Sequence, residues 1–352
     1  MTAPIINELI HRYPVRLTLR TTLPEHLLKS RIDGDFNVIP ENTDFGMVMH
    51  SSLDVDIPES AKAYQAFHEN YEEKVLLEIA SLQAIKPDLI LANIPYLTID
   101  ASARCGIPCV AYCSLNWLEI FDHYFNGVFS GEEKIKKQIA DAYNKADVFL
   151  CPAPSMSMPQ LKNIQKVGPV AKINTNTSIT SNAPAHKLRD KIGRVPKVRF
   201  VLITPGGVPT SIPVDDWPAN ENIVWICSWP IKSSRDDVFS CEEIDLSFNE
   251  ILASCDAVIT KPGYGAVTET VCNQVPALYV KRGDWPEEPC LVDWWHQHGC
   301  VDEISRDDLF SGNVINQLKL LWQKKSKPLT RPDGINDVCD VLSKYLHIKS
   351  PV

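Results

Sequence analysis

Hydrophobic positions along this chain fall into two alternating patterns. Short continuous apolar runs bounded by turn residues predict buried parallel strands. They are KPDLILANIP (86–95), IPCVAYCS (107–114), ADVFLCPAP (146–154), KVRFVLITPGG (197–207), NIVWICS (222–228), DAVITKPG (256–263), VPALYVKR (275–282) and GCVDEIS (299–305). Two earlier runs, VRLTLRTT (15–22) and DFNVIP (35–40), also predict strands. Between the strands, apolar residues recur every three or four positions, which is the helical period. Over residues 60–85 that stripe is Tyr64, Phe67, Tyr71, Val75, Leu76 and Ile79. Further helices are predicted at 100–106, 131–145, 245–254, 265–273, 287–298, 307–324 and 334–347. At the start of the chain, Thr2 as cap and Pro4 in the first turn predict a helix over 3–12.

Strand–helix alternation of this kind predicts α/β architecture with parallel sheets. The alternation breaks once, in the polar Asn/Thr/Ser-rich stretch 165–185, which opens with Gly168–Pro169. The expected organisation is two tandem Rossmann-like doubly wound domains. The first spans 1–166, with the tail 334–352 packing back on it. The second spans 167–333. A length of 352 residues suits two hydrophobic cores better than one.

Composition narrows the function classes. The chain is 44% hydrophobic and 22% charged, which excludes a disordered protein. A net charge of −9 argues against nucleic acid as a partner. The 11 cysteines form no C-x-x-C pair, and their spread through strands predicts reduced core thiols. No apolar run is long enough to span a bilayer, which makes the cytoplasm the expected compartment and leaves room for peripheral membrane contact.

In open parallel sheets, ligands bind beyond the carboxyl ends of the strands. In the second half this rule nominates Gly206 and Gly207, then KPGYGAVTE (261–269), then the region of Glu287 and Glu288. Glycines after a strand let backbone approach an anion, and a helix starting there aims free N–H groups at it. Lys261, Gly263, Tyr264, Gly265, Thr268 and Glu269 therefore predict a nucleotide site, with Glu269 one turn in and placed for hydroxyls. Gly206–Gly207 reads equally as a plain tight turn, and Glu287–Glu288 equally as a helix cap. In the first half the rule nominates Asn93, Tyr96, Asn116 and Trp117 as cleft residues. Asp44 and His50 are candidate acid/base residues. The triplets DGD (33–35) and DVD (54–56) mimic metal-binding Asp-x-Asp at chance frequency, and no metal is expected.

The second half resembles the nucleotide-sugar-binding domain of GT-B glycosyltransferases. It is most similar to the C-terminal domain of the bacterial N-acetylglucosaminyltransferase that makes the lipid-linked peptidoglycan precursor. VGPV (167–170), TPGG (204–207), ASCDAVITKPGYGAVTETVCNQVPAL (253–278) and EEPCLVDW (287–294) carry the likeness. The wider chain also resembles the glycosyltransferase-like N-terminal part of plant L-arabinokinases, notably over 86–117. The resemblance implies that the turn at 263–265 receives a diphosphate and that Glu269 holds the ribose. It implies that Glu287 and Glu288 face the donor sugar, and that helix N-termini do the work of a metal. The chain also departs from the family. GT-B first domains open with a central strand and loop, whereas here a helix comes first. The expectation is that the first domain lacks its opening strand, with coding sequence upstream of Met1.

The expected function is a metal-independent, nucleotide-sugar-dependent glycosyltransferase. Its donor, UDP-linked by resemblance, is a co-substrate, so no cofactor is expected. The acceptor is not specified by the sequence. The alternatives are a non-catalytic nucleotide-sugar-binding regulator and a GT-B-fold sugar-nucleotide epimerase.

Overall fold

The computed structural model of the chain describes residues 1–174, 183–193, 198–206 and 212–346, the side chains of 183–186 excepted. Two compact units are present. One consists of Met1–Val48, Val55–Val170 and Asp333–Val352; the other of Met49–Asp54 and Ala171–Pro332.

In chain order the first unit contains α1 (Ala3–Arg12), β1 (Leu17–Arg20), α2 (Glu25–Lys29), β2 (Phe36–Ile39), α3 (Ile57–Glu69), α4 (Tyr71–Ile85) and β3 (Ile90–Ala92). There follow α5 (Tyr96–Cys105), β4 (Cys109–Tyr112), α6 (Trp117–Phe125), α7 (Glu132–Tyr143), β5 (Val148–Pro152) and β6 (Ile164–Val167). A C-terminal helix, Gly334–Ser343, packs against α1 and β6. Every strand pairing is parallel. The strands form two separate sheets, β1–β2 and β3–β4–β5–β6. No strand precedes α1 among the described residues, and the sheet is divided.

Several boundaries differ from the sequence reading for identifiable reasons. The helix expected over 60–85 is two helices, because Asn70 leaves helical geometry between α3 and α4. Thr2 does not cap α1: its backbone is already helical and its side chain makes no cap bond. Strand β6 runs into the start of the polar stretch 165–185, where no element was expected. Helix α6 was not anticipated, although Asn116 caps it, accepting from the Glu119 N–H at 2.8 Å.

The second unit contains α8 (Ala183–Ile192), β7 (Arg199–Thr204), β8 (Ile223–Cys227), β9 (Val238–Ser240), α9 (Phe248–Ser254) and β10 (Ala257–Thr260). It continues with α10 (Tyr264–Cys272), β11 (Ala277–Tyr279), α11 (Glu288–His298), β12 (Val301–Glu303), α12 (Arg306–Ser311) and α13 (Ile315–Leu321). The last two replace one expected helix, split at Gly312 with φ 74°. The sheet order is β12–β11–β10–β7–β8–β9, all parallel. That is the doubly wound order, and its direction reverses between β7 and β10. All eleven cysteines are free thiols; seven are buried, five of those within strands or helices.

Met49–Asp54 reaches the second unit from within the first unit's sequence. Leu53, 7% exposed, joins the core formed by Val201, Ile203, Trp225, Ile259 and Leu278. Asp54 accepts from Arg306 at 2.9 Å, and its own N-terminal neighbours close a turn through His50 N–H to Asp54 O at 3.0 Å. Truncating Leu53 leaves a cavity, so Leu53→Ala is expected to destabilise the second unit by about 2–4 kcal/mol. Asp54→Asn loses only a half-exposed ion pair and is expected to cost under about 1 kcal/mol. Denaturant unfolding of both variants measures the contrast.

Candidate functional site

The carboxyl ends of β7 and β10 lie level, with Thr204 paired to Thr260. The Thr260 hydroxyl donates to the Thr204 carbonyl at 2.7 Å and ties the two ends together. Beyond β7, Gly206 turns with φ 98°, a left-handed geometry that favours glycine. A Cβ there would stand 2.9 Å from Lys261 Cε, so Gly206 also makes room for that side chain. Beyond β10, Gly263 occupies the N-cap of α10 and offers no side-chain cap. The helix's own ladder begins with Val267 N–H to Gly263 O at 3.0 Å. Amides before Val267 thus lie outside it, and the positive end of the dipole points outward. A Cβ on Gly265 would meet open space.

Lys261 lies between these two turns. Its Nζ is 3.4 Å from the position of a Cβ on Gly206 and 3.6 Å from one on Gly263. Among the described residues the ammonium has no hydrogen bond or ion pair. Burial, then the neighbouring Arg282 cation, lower it to about 8, while Glu287 and Glu288 pull weakly the other way. Arg282 itself stacks on Trp285, 4.0 Å from the ring centre.

Other residues nominated from the sequence have different placements. Thr268 is fully buried and its hydroxyl donates to the Tyr264 carbonyl at 3.0 Å, so it is spent within α10. Tyr264 is buried, at 5% exposure. Glu269 is partly exposed one turn into α10. Glu287 and Glu288 are buried at the start of α11. Glu287 accepts from Trp285 Nε1 at 3.2 Å, and Glu288 accepts from the Arg282 N–H at 2.7 Å. The pair therefore fixes the loop after β11, and burial raises the Glu288 carboxyl. Gly207 lies outside the described residues.

In the first unit the informative residue is Asp44. Its Oδ2 is buried with no hydrogen-bond partner. Desolvation raises the carboxyl to about 6, against a hydrogen bond from the Trp117 indole. Trp117 lies over Gly46, where a Cβ would stand 2.6 Å from the ring. The Trp117 N–H is held by the Tyr143 hydroxyl at 3.3 Å. Asn93 donates to the Tyr112 carbonyl at 2.8 Å from the end of β3. Asn116 is a buried helix cap. Tyr96 is no cleft residue in this structure: it is 1% exposed and its hydroxyl stands 3.0 Å from His68 Nε2. The His68 Nδ1–H donates to Gln138, which leaves Nε2 as acceptor, and burial lowers this ring to about 4, so it is neutral. His50 is exposed and belongs to the second unit, whereas Asp44 belongs to the first. The DVD triplet is divided likewise: Asp54 pairs with Arg306 and Asp56 caps α3. Among the described residues, no three His, Cys, Asp or Glu side chains converge to hold a metal. No helix there is long and apolar enough to cross a membrane.

No family model matches the chain. An L-arabinokinase of Arabidopsis thaliana is 25% identical over 276 residues, 76% of this chain. The chain matches 25% of that protein's length. Among solved structures, the calicheamicin glycosyltransferase CalG4 superposes with TM-score 0.60 at 14% identity, covering 98% of this chain and 94% of that one. The glycosyltransferase VinC, solved with DTDP, gives 0.54 at 13% identity over 99% and 92%. A Listeria monocytogenes protein described as a UDP-N-acetylglucosamine 2-epimerase gives 0.54 at 12% identity over 99% and 94%. The fold is therefore the two-domain GT-B fold, and both resemblances read from the sequence are found.

The buried Asp44 carries a stability signature. A carboxyl raised from 3.8 to about 6 stabilises the fold fully below the unfolded value and loses that contribution as pH rises through the folded one. Asp44→Asn removes the loss. The variant's advantage over wild type is expected to grow by on the order of 2–3 kcal/mol from about pH 4 to about pH 7. Denaturant unfolding of the pair across that range checks it, and a difference flat with pH would refute the assignment.

Proposed function

We propose that this protein is a nucleotide-sugar-dependent glycosyltransferase whose donor binds the second unit without a divalent metal. The observation that carries the proposal is one cluster: the left-handed turn at Gly206, the uncapped start of α10 and, between them, the Lys261 ammonium, unpaired among the described residues. Backbone N–H groups, a helix end and a cation suit a diphosphate, and they stabilise it again as a leaving group when the sugar departs. Lys261 and Arg282 provide the positive charge otherwise asked of a metal.

Glu269 lies one turn beyond the diphosphate turn, as a ribose lies beyond its diphosphate. Its carboxylate offers two acceptor oxygens to two neighbouring hydroxyls. Donor specificity follows the resemblance, which favours UDP. On the first unit, Asp44 is the base proposed to deprotonate the acceptor hydroxyl, since a carboxyl near 6 with a bare oxygen suits that task at neutral pH. Asn93 and Trp117 belong to the acceptor side. The likeness to a protein described as an epimerase supports a second reading, a sugar-nucleotide epimerase. Incubating UDP-sugars with and without an acceptor mixture separates the readings. A transferase consumes donor with acceptor, an epimerase isomerises it alone, and a regulatory binding protein leaves it intact.

Two outcomes are expected in calorimetric titration. Glu269→Ala weakens UDP binding on the order of 10²–10³-fold, because it loses two charge-assisted hydrogen bonds of about 1.5–3 kcal/mol each before entropy and desolvation. The 2′-deoxy nucleotide binds wild type weakly and loses less on mutation. Excess chelator leaves UDP affinity unchanged, and a strong loss there would point to a metal-dependent site.

A further inference from the structure

Among the described residues, Lys261 is a cation without an ion-pair partner. It is hemmed in by the backbone turns at Gly206 and Gly263, and the space a side chain would need at Gly206 is filled by its own Cε. The charged groups facing it are Arg282 on the loop after β11 and Glu287 and Glu288 at the start of α11. Arg282 keeps its charge at any accessible pH and repels a second cation. The two carboxylates are bound elsewhere: Glu287 to the Trp285 indole and Glu288 to the Arg282 N–H. An ammonium so placed, half out of water and beside a fixed cation, holds its proton weakly until an anion arrives, and its position near 8 agrees.

We propose that in mildly alkaline solution the diphosphate of the donor is bound together with one proton, taken up from solvent by Lys261. The proposal rests on the donor-site reading above and deepens it. A diphosphate seated between the turns supplies the missing counter-charge and hydrogen-bond acceptors, so the amine becomes a full ammonium in the complex. By linkage, affinity then falls as pH rises above the free lysine's value, until the bound lysine itself begins to lose its proton.

The test is calorimetric titration of UDP and, in parallel, TDP into the full chain. Each is run at about pH 8.5 and about pH 9.5 in two buffers of different ionisation enthalpy. In that window phosphate groups (pKa about 6) and carboxylates are fully ionised and exchange no protons, while the N3–H of uracil or thymine begins to ionise, so uptake is counted as the excess over that of Lys261→Arg. The wild type is expected to take up about 0.7–1 proton per diphosphate, with the dissociation constant rising up to about tenfold between the two pH values. Lys261→Arg, which never loses its charge, is expected to show only the base's share of either effect. Lys261→Gln is expected to bind about 10–10²-fold more weakly at the lower pH, without uptake. Wild-type binding with no more proton uptake than Lys261→Arg overturns this inference and leaves the donor site standing. Failure of both UDP and TDP to bind removes the donor site and this inference together.

Discussion

The pairing of β7 with β10 is the contact that brings the second unit's two glycine turns together. These strands are distant in sequence and adjacent in the sheet, with Thr204 level with Thr260. The sheet is built outward from them in both directions. Because right-handed crossovers send the chain to opposite faces on the two sides of this pair, the strand ends between them are left uncovered. Gly206, Lys261 and the start of α10 meet there for that reason. Moving any one of them to another strand end would scatter them.

The parts legible in the sequence were those governed by short-range rules. Continuous apolar runs such as RFVLIT and DAVIT could be read as buried parallel strands because both faces of such strands are covered. KPGYGAVTE could be read as strand end, turn and helix start because glycine and the end of an apolar run are local signals. Helix α6 was missed, although Asn116 three residues before Glu119 is a capping pattern, because its buried face spreads over Leu118, Ile120, Phe121, Tyr124 and Phe125 and hides the stripe.

What escaped the sequence is long-range. Thr268 and Glu269 are neighbours in one motif, yet one is buried against its own helix and the other is partly exposed. Only the direction of each side chain on α10 separates them. Tyr96 follows a strand end and so met the rule for a binding residue, while the structure places its hydroxyl on His68, from another helix. Leu53 is a single apolar residue in a polar stretch, and nothing nearby indicates that the core it completes begins more than a hundred residues later.

The excursion of Met49–Asp54 bears on how this protein can be rearranged. The chain passes between its two compact units four times, at 48/49, 54/55, 170/171 and 332/333. A chimera spliced once, near residue 170, takes the second unit's sheet from one parent and Leu53 and Asp54 from the other. The grafted leucine then has to fit a foreign core, and the aspartate a foreign partner for Arg306. An exchange of second units between relatives therefore has to carry a six-residue segment from early in the chain along with the graft.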